Sequence, residues 1–215
     1  MPVEAEIKAK VRDPKQLHTA LAARATGERS TYHDRYFDHA DRRWSRDGHE
    51  LRVRTVTDDA GQSRIVLTFK EPAVDAATGS KPEHETTAGD AAAMITVLTA
   101  LGAEEVLAFE KRCTNYRFTA HDRELLATVV TVPEIAGETF IELETLAESD
   151  DLNTALSVVR DVLAELGIEP GDHTTDLYAD AVVAARGRSG ELRSAQRRIR
   201  DESRRSGPDH AVGGR

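Results

Sequence analysis

In ELRVR, RIVLTFK and FIELE, apolar residues take every second position and charged residues hold most of the places between. Successive side chains of a strand point to opposite sides of a sheet, so each stretch has one apolar and one charged side. Glu50, Arg52 and Arg54 lie opposite Leu51 and Val53; Arg64 and Lys70 lie opposite Ile65, Leu67 and Phe69; Glu142 and Glu144 lie opposite Ile141 and Leu143. EAEIK repeats the pattern with Glu4, Glu6 and Lys8 against Ala5 and Ile7. A single charged row is most often a solvated face, and small barrels usually fill their interiors with apolar side chains. Here the helical segments need an apolar surface to cover, and the Leu, Ile and Val side of the strands supplies it. The charges are therefore expected inside a curled sheet, where they would meet a ligand.

Eight runs read as strands: PVEAEIKAK, STYHDRYFD, HELRVRTV, SRIVLTFKE, KPEHETT, LAFEKRCTNYRF, RELLATVVTV and ETFIELETL. Turn signals at Asp47 and Gly48, at Gly61 and at His121 predict antiparallel hairpins. Three segments read as helices. DPKQLHTALAARA has Asp13 as N-cap and Pro14 at the first helical position, DAAAMITVLTALG stops at Gly102, and DLNTALSVVRDVLAELG stops at Gly167. TTDLYADAVVAAR is a shorter fourth. The expected fold is α+β: an eight-stranded antiparallel β-barrel with helices packed on the outside.

At 215 residues the chain suits one sizeable domain plus an appendage. The domain is expected over residues 1–185 and a basic, Arg-rich tail, disordered or helical, over 186–215, which holds nine Arg against four acidic residues. The formal net charge is −9, so the body should not attract nucleic acid, and an anion would need a local pocket. No apolar run approaches the roughly 20 residues of a membrane helix. Strand pattern begins at Val3, which argues against a cleaved leader. The single Cys113 allows no internal disulfide and fits a reducing compartment, so a cytoplasmic location is expected. GxxxxGK[ST] and HExxH are absent, which excludes a P-loop and gives no sign of zinc. Trp44 is expected as an apolar contact under a loop.

The order of these segments resembles the CYTH proteins, or triphosphate tunnel metalloenzymes. Their ExExK signature stands here as Glu4, Glu6 and Lys8, and the resemblance continues through YFDHADRRWSRDGHELRVR, LTFKEP, PEHET, LGAEEVLAFEKR, FIELE and DLYADAV, over about residues 2–185. LTFKEP and FIELE are closest to the class IV adenylyl cyclase branch. The resemblance implies a β-tunnel binding an organic triphosphate with Mg²⁺ or Mn²⁺. Phosphate would be bound by Lys8, Arg52, Arg54, Arg64, Lys70 and Lys111. Metal would be bound by Glu4, Glu6, Glu142 and Glu144, with Glu85 a weaker candidate; Lys8, as general base, and Glu6 are the implied catalytic residues.

That residue set suits the chemistry. A buried triphosphate is prohibitively costly unless cations surround it, arginine grips phosphate oxygens in pairs, and lysine acts as a point charge. Carboxylates beside a polyanion make sense when a hard, oxygen-seeking cation lies between them. The implied activity is a cyclase converting ATP to cyclic AMP and pyrophosphate. The alternatives are a triphosphatase acting on thiamine triphosphate or tripolyphosphate, and a non-catalytic triphosphate-binding module. A homodimer would be in keeping with the family, and no membrane or nucleic-acid partner is expected. Two departures stand out: Lys111 is followed two residues later by Cys113 where the cyclases carry a same-face arginine, and no acidic residue occurs near Val130 and Thr131, where they carry an Asp.

Overall fold

The computed structural model describes residues 2–188; the basic segment expected from 186 onward lies, from residue 189, outside the described residues. The eight expected strands all form: β1 (Pro2–Lys10), β2 (Glu28–Asp38), β3 (Glu50–Asp58), β4 (Ser63–Lys70), β5 (Glu83–Ala88), β6 (Glu104–Ala120), β7 (Arg123–Thr131) and β8 (Phe140–Glu148). They make one antiparallel sheet in the order β1-β8-β7-β6-β2-β3-β4-β5. The sheet curls until its edge strands meet, with Val3 bridged to Pro82 and the amide of Glu4 donating to the carbonyl of Lys81. The barrel is thus nearly closed, and its seam runs between β1 and β5.

Local chemistry sets the ends of the elements. Helix α1 (Pro14–Ala22) starts where the Asp13 carboxylate accepts the Gln16 amide at 2.9 Å. Between β2 and β3, the buried Asp38 carboxylate accepts the amides of His39, Trp44 and Ser45 and the Ser45 hydroxyl, fixing the short helix α2 (Arg43–Arg46). Asp90 caps α3 (Ala91–Ala100) by accepting the Ala93 amide, and the chain leaves that helix through Gly102 at φ +88°. β6 and β7 are joined by a two-residue turn in which His121 and Asp122 both take positive φ, the twist such a hairpin requires.

Two apolar layers cover the outside of the barrel. Helix α4 (Leu152–Glu165) buries Leu152, Ala155, Leu156, Val159, Val162 and Leu163, spaced three and four apart. Together with Leu17 and Leu21 of α1 they pack on Ala5, Ile7, Tyr116, Phe118, Ala127, Ile141 and Leu143. The second layer sets Leu98 of α3 against Phe37, Leu51 and Val53, with Trp44, Ile65, Leu67 and Phe69 at its margin. Every apolar row read from the sequence therefore faces outward under helices. Leu156→Ala, in the first layer, should cost about 2–5 kcal/mol, while Val97→Ala on the exposed side of α3 should cost under about 0.5 kcal/mol. Urea titration of both variants checks this, and equal midpoints would contradict the packing described.

The chain divides into two units between Asp176 and Leu177. The described part of the second is a helix over residues 178–188, matching the fourth helical segment. Among the described residues no helix is long and apolar enough to cross a membrane.

Candidate active site

Because the apolar rows face out, strand alternation sends the charged rows inward, and the register decides which charges meet. Glu6 lies directly opposite Glu144 on β8, and Lys8 lies opposite Glu142. Like charges placed opposite each other on paired strands destabilise a sheet. Glu4, Glu6 and Glu144 each bring a carboxylate oxygen within 4.8 Å of the others. Burial, with its like-charged neighbours, pushes Glu4 and Glu6 up to about 7 and Glu144 well above the usual carboxylate range. Glu142, the fourth carboxylate expected at the metal, does not join this cluster. It is two residues along β8, about 6.8 Å at strand spacing, and it faces Lys8 and lies 3.8 Å from the Lys111 ammonium.

Hard oxygen donors crowded this closely, in a barrel that buries them, fit a divalent cation of the magnesium or manganese type. Protons or a cation must otherwise relieve their repulsion. A lysine already does part of this. Lys70 Nζ sits 2.5 Å from an oxygen of Glu4 and 2.5 Å from an oxygen of Glu83, tying β1 to β5 across the seam. Burial opposes the charge on Lys70, but Glu4, Glu6 and Glu83 outweigh it and hold the ammonium well above its usual range. Glu83, which sequence reasoning passed over, is thus the β5 carboxylate at the centre. Glu85 is exposed and accepts the Thr68 hydroxyl instead.

Across the tunnel lie the cations of β3 and β6. Arg54 is clamped by Asp34 of β2, its Nε 2.6 Å from Oδ1 and its Nη2 2.8 Å from Oδ2. Arg52 is 6% exposed; its Nη2 donates to the Thr68 hydroxyl at 3.4 Å, its Nε has no hydrogen-bond partner among the described residues, and its nearest carboxylates there, those of Asp34 and Glu50, are 4.0 Å away. Burial opposes its charge, but Asp34 and Glu50 hold it well above its usual range, and the buried Nε is left for a further acceptor that an anion would supply. Lys111 lies 3.8 Å from Asp34. Lys8 is lowered, chiefly by burial, against the opposing pull of Glu142 and Glu6, and its ammonium donates to the carbonyl of Asp176. Arg64 shares the inward parity of β4 but is exposed near the strand's start, apart from the buried cations.

The two departures noted in the sequence resolve into a neutral sector. Cys113 follows Lys111 on the inward face, while Arg112 points out and pairs with Glu110. On β7 the residue opposite Glu142 is Thr128. Its hydroxyl donates to Asn115 Oδ1 at 3.0 Å, as does the hydroxyl of Tyr32. Burial pushes the Cys113 thiol up to about 12. Iodoacetamide at pH 8 should therefore alkylate the native protein more than about 100-fold slower than the unfolded chain. Comparable rates would place Cys113 outside the buried lining.

Asp34 was the main omission. STYHDRYFD holds two aspartates, Asp34 and Asp38, among Tyr32 and Tyr36 on one side of the strand, and nothing local tells which of them meets a cation. The role of Asp34 appears only once the register places it opposite Arg54.

The CYTH domain family model matches residues 3–178. Among solved structures, the chain is similar to the PH1819 protein of Pyrococcus horikoshii OT3, at 24% identity and a TM-score of 0.71, over 84% of this chain and 98% of that one. It is similar also to a candidate adenylate cyclase from Vibrio parahaemolyticus, at 15% identity and a TM-score of 0.71, over 85% and 98%. HpAC1 from Hippeastrum, a candidate adenylyl cyclase described as having a dominant triphosphatase activity, aligns at 17% identity and a TM-score of 0.56, over 86% and 96%. No curated protein matches the sequence.

Proposed function

The chain belongs to the CYTH domain family, and from that premise we propose that it is a metal-dependent enzyme that binds an organic triphosphate inside the barrel and cleaves its phosphoanhydride chain. The observation that carries this reading is the pairing of a buried, underpartnered guanidinium, Arg52, with a three-carboxylate cluster on the facing strands. Around the tunnel the carboxylates of Glu4, Glu6, Asp34, Glu83, Glu142 and Glu144 outnumber the cations of Lys8, Arg52, Arg54, Lys70 and Lys111. With Glu4, Glu6 and Glu144 ionised, that balance repels a bare polyanion, whereas a metal-bound polyanion satisfies both sets.

In this reading Arg52, Arg54, Lys70 and Lys111 hold the phosphate oxygens. Glu4, Glu6 and Glu144 would hold a divalent cation, which when bound supplies charge neutralisation at the phosphates. Lys8 provides the base. Burial favours its neutral amine, and its place beside Glu6 on the inward row puts it next to the acidic cluster. The amine takes a proton from water as the water oxygen bonds to the terminal phosphorus and the bond to the bridging oxygen breaks. The ammonium that forms is stabilised by Glu142 opposite it.

Cyclisation is the second reading. In it the same base serves a ribose hydroxyl attacking the α-phosphorus, and pyrophosphate leaves. It is favoured by the uncharged lining of Tyr32, Asn115 and Thr128 beside the cations, which suits a sugar and base better than a third phosphate. The names of the Vibrio and Hippeastrum proteins bear on both readings. Incubation with ATP, thiamine triphosphate and tripolyphosphate under Mg²⁺ or Mn²⁺, with products resolved by mass, separates them. Phosphate release without a cyclic product supports hydrolysis, cyclic AMP with pyrophosphate supports cyclisation, and tight binding without turnover overturns the enzymatic proposal.

A further inference from the structure

A site made to attract a polyanion should not bury an anion among its own cations, yet Asp34 does that. It has no exposed surface. Its carboxylate lies outside the three-glutamate cluster, and the charged groups it meets are cations: Arg54 at 2.6 and 2.8 Å, Lys111 at 3.8 Å and Arg52 at 4.0 Å. Simple charge compensation would be served by contacts as loose as the one to Arg52. The contact to Arg54 is instead a two-bond fork, which fixes the plane of the guanidinium as well as its position.

The other face of that guanidinium is fixed too. Its Cζ lies 4.5 Å over the ring of Tyr32. The Tyr32 hydroxyl is tied to Asn115 Oδ1, which Thr128 also holds. Arg54 is therefore set by Asp34 along one edge and by Tyr32 across its face, and the fork occupies Nε and Nη2 while leaving Nη1 outside it.

We infer that Asp34 is a positioning residue, which orients Arg54 so that Nη1 is presented to a phosphate oxygen before the substrate arrives. The inference rests on the triphosphate reading proposed above. It gives the opposite sign from a purely electrostatic role: removing a negative charge from the tunnel should tighten anion binding, whereas loss of an orienting contact should weaken it.

Calorimetric titration of inorganic tripolyphosphate in saturating Mg²⁺ reads the difference. Asp34→Asn is expected to bind at least about 10-fold more weakly than wild type. In an Arg54→Lys background, which already lacks the fork, the same substitution should change affinity less than about twofold, because Asp34 acts through Arg54. Tighter binding by Asp34→Asn, or an equal loss in both backgrounds, overturns the inference. Should circular dichroism show that Asp34→Asn does not fold, Asp34→Glu decides. It keeps the charge and displaces it by one methylene, and is expected to bind at least threefold more weakly; wild-type affinity would overturn the inference. A wild-type protein that binds no tripolyphosphate sinks the triphosphate reading itself, while wild-type binding with unaffected variants sinks only the role given to Asp34.

Discussion

Glu6→Gln is expected to abolish turnover and yet to stabilise the metal-free protein. The loss should be at least about 100-fold, since even outer partners of metal ligands typically cost 10- to 100-fold when removed. The gain follows from the register. Glu6 sits opposite Glu144, Glu4 completes the cluster within 4.8 Å, and burial with these neighbours pushes Glu6 up to about 7. A neutral amide keeps the shape and removes one of three crowded acids, for a gain on the order of 1 kcal/mol and a rise in Tm of about 2–4 °C. Scanning calorimetry without metal at pH 8, paired with steady-state rates in Mg²⁺, tests both halves. A variant that keeps its activity, or that melts several degrees lower, would show that the cluster is not a metal site held against its own repulsion.

Metal and triphosphate should each strengthen the other's binding by about 100-fold, or about 2.7 kcal/mol. Lys70 sits on Glu4 and Glu83. A divalent cation held by Glu4, Glu6 and Glu144 would compete for Glu4, and the lysine so released would become available to a phosphate oxygen. The pH dependence has a definite sign. Glu4 and Glu6 are raised from 4.5 to about 7 in the folded protein, so between those values the native state holds protons that the unfolded chain has lost. Stability of the metal-free protein therefore falls as pH rises through that window. Metal must displace the same protons, so its affinity and the Tm increase it brings should both grow from pH 5 to pH 7.5. Asp34, held low by Arg54, Arg52 and Lys111 against the cost of burial, acts in the other direction. Its contribution is present above about pH 4 and lost in stronger acid. Titrations of Mn²⁺ at pH 5.5 and 7.5, with and without tripolyphosphate, measure the coupling. Identical affinities in all four conditions would contradict it.

The barrel could be read before any coordinates because period-two alternation is a local signal, strong in EAEIK, ELRVR and FIELE. The helices on the outer face follow from the same alternation, since the Leu, Ile and Val rows must be covered. The composition of the site was less legible, because it depends on register. Glu142 and Glu144 look equivalent in FIELE, yet one lies opposite Lys8 and the other opposite Glu6. Arg64 has the parity of Lys70 but sits six residues back along β4, out of the buried centre. Asp34 shares its strand with Glu28 and Asp38, and Glu83 shares its strand with Glu85, so neither is singled out locally; only long-range pairing shows that they hold Arg54 and Lys70.

The most direct test of the central claim, that the inward charges form a metal–triphosphate site, is the anomalous scattering of a crystal soaked with Mn²⁺ and tripolyphosphate. The account predicts a manganese peak among Glu4, Glu6 and Glu144 and phosphates against Arg52, Arg54, Lys70 and Lys111. Manganese and phosphate bound only on the outer surface, with Lys70 still seated on Glu4, would contradict it.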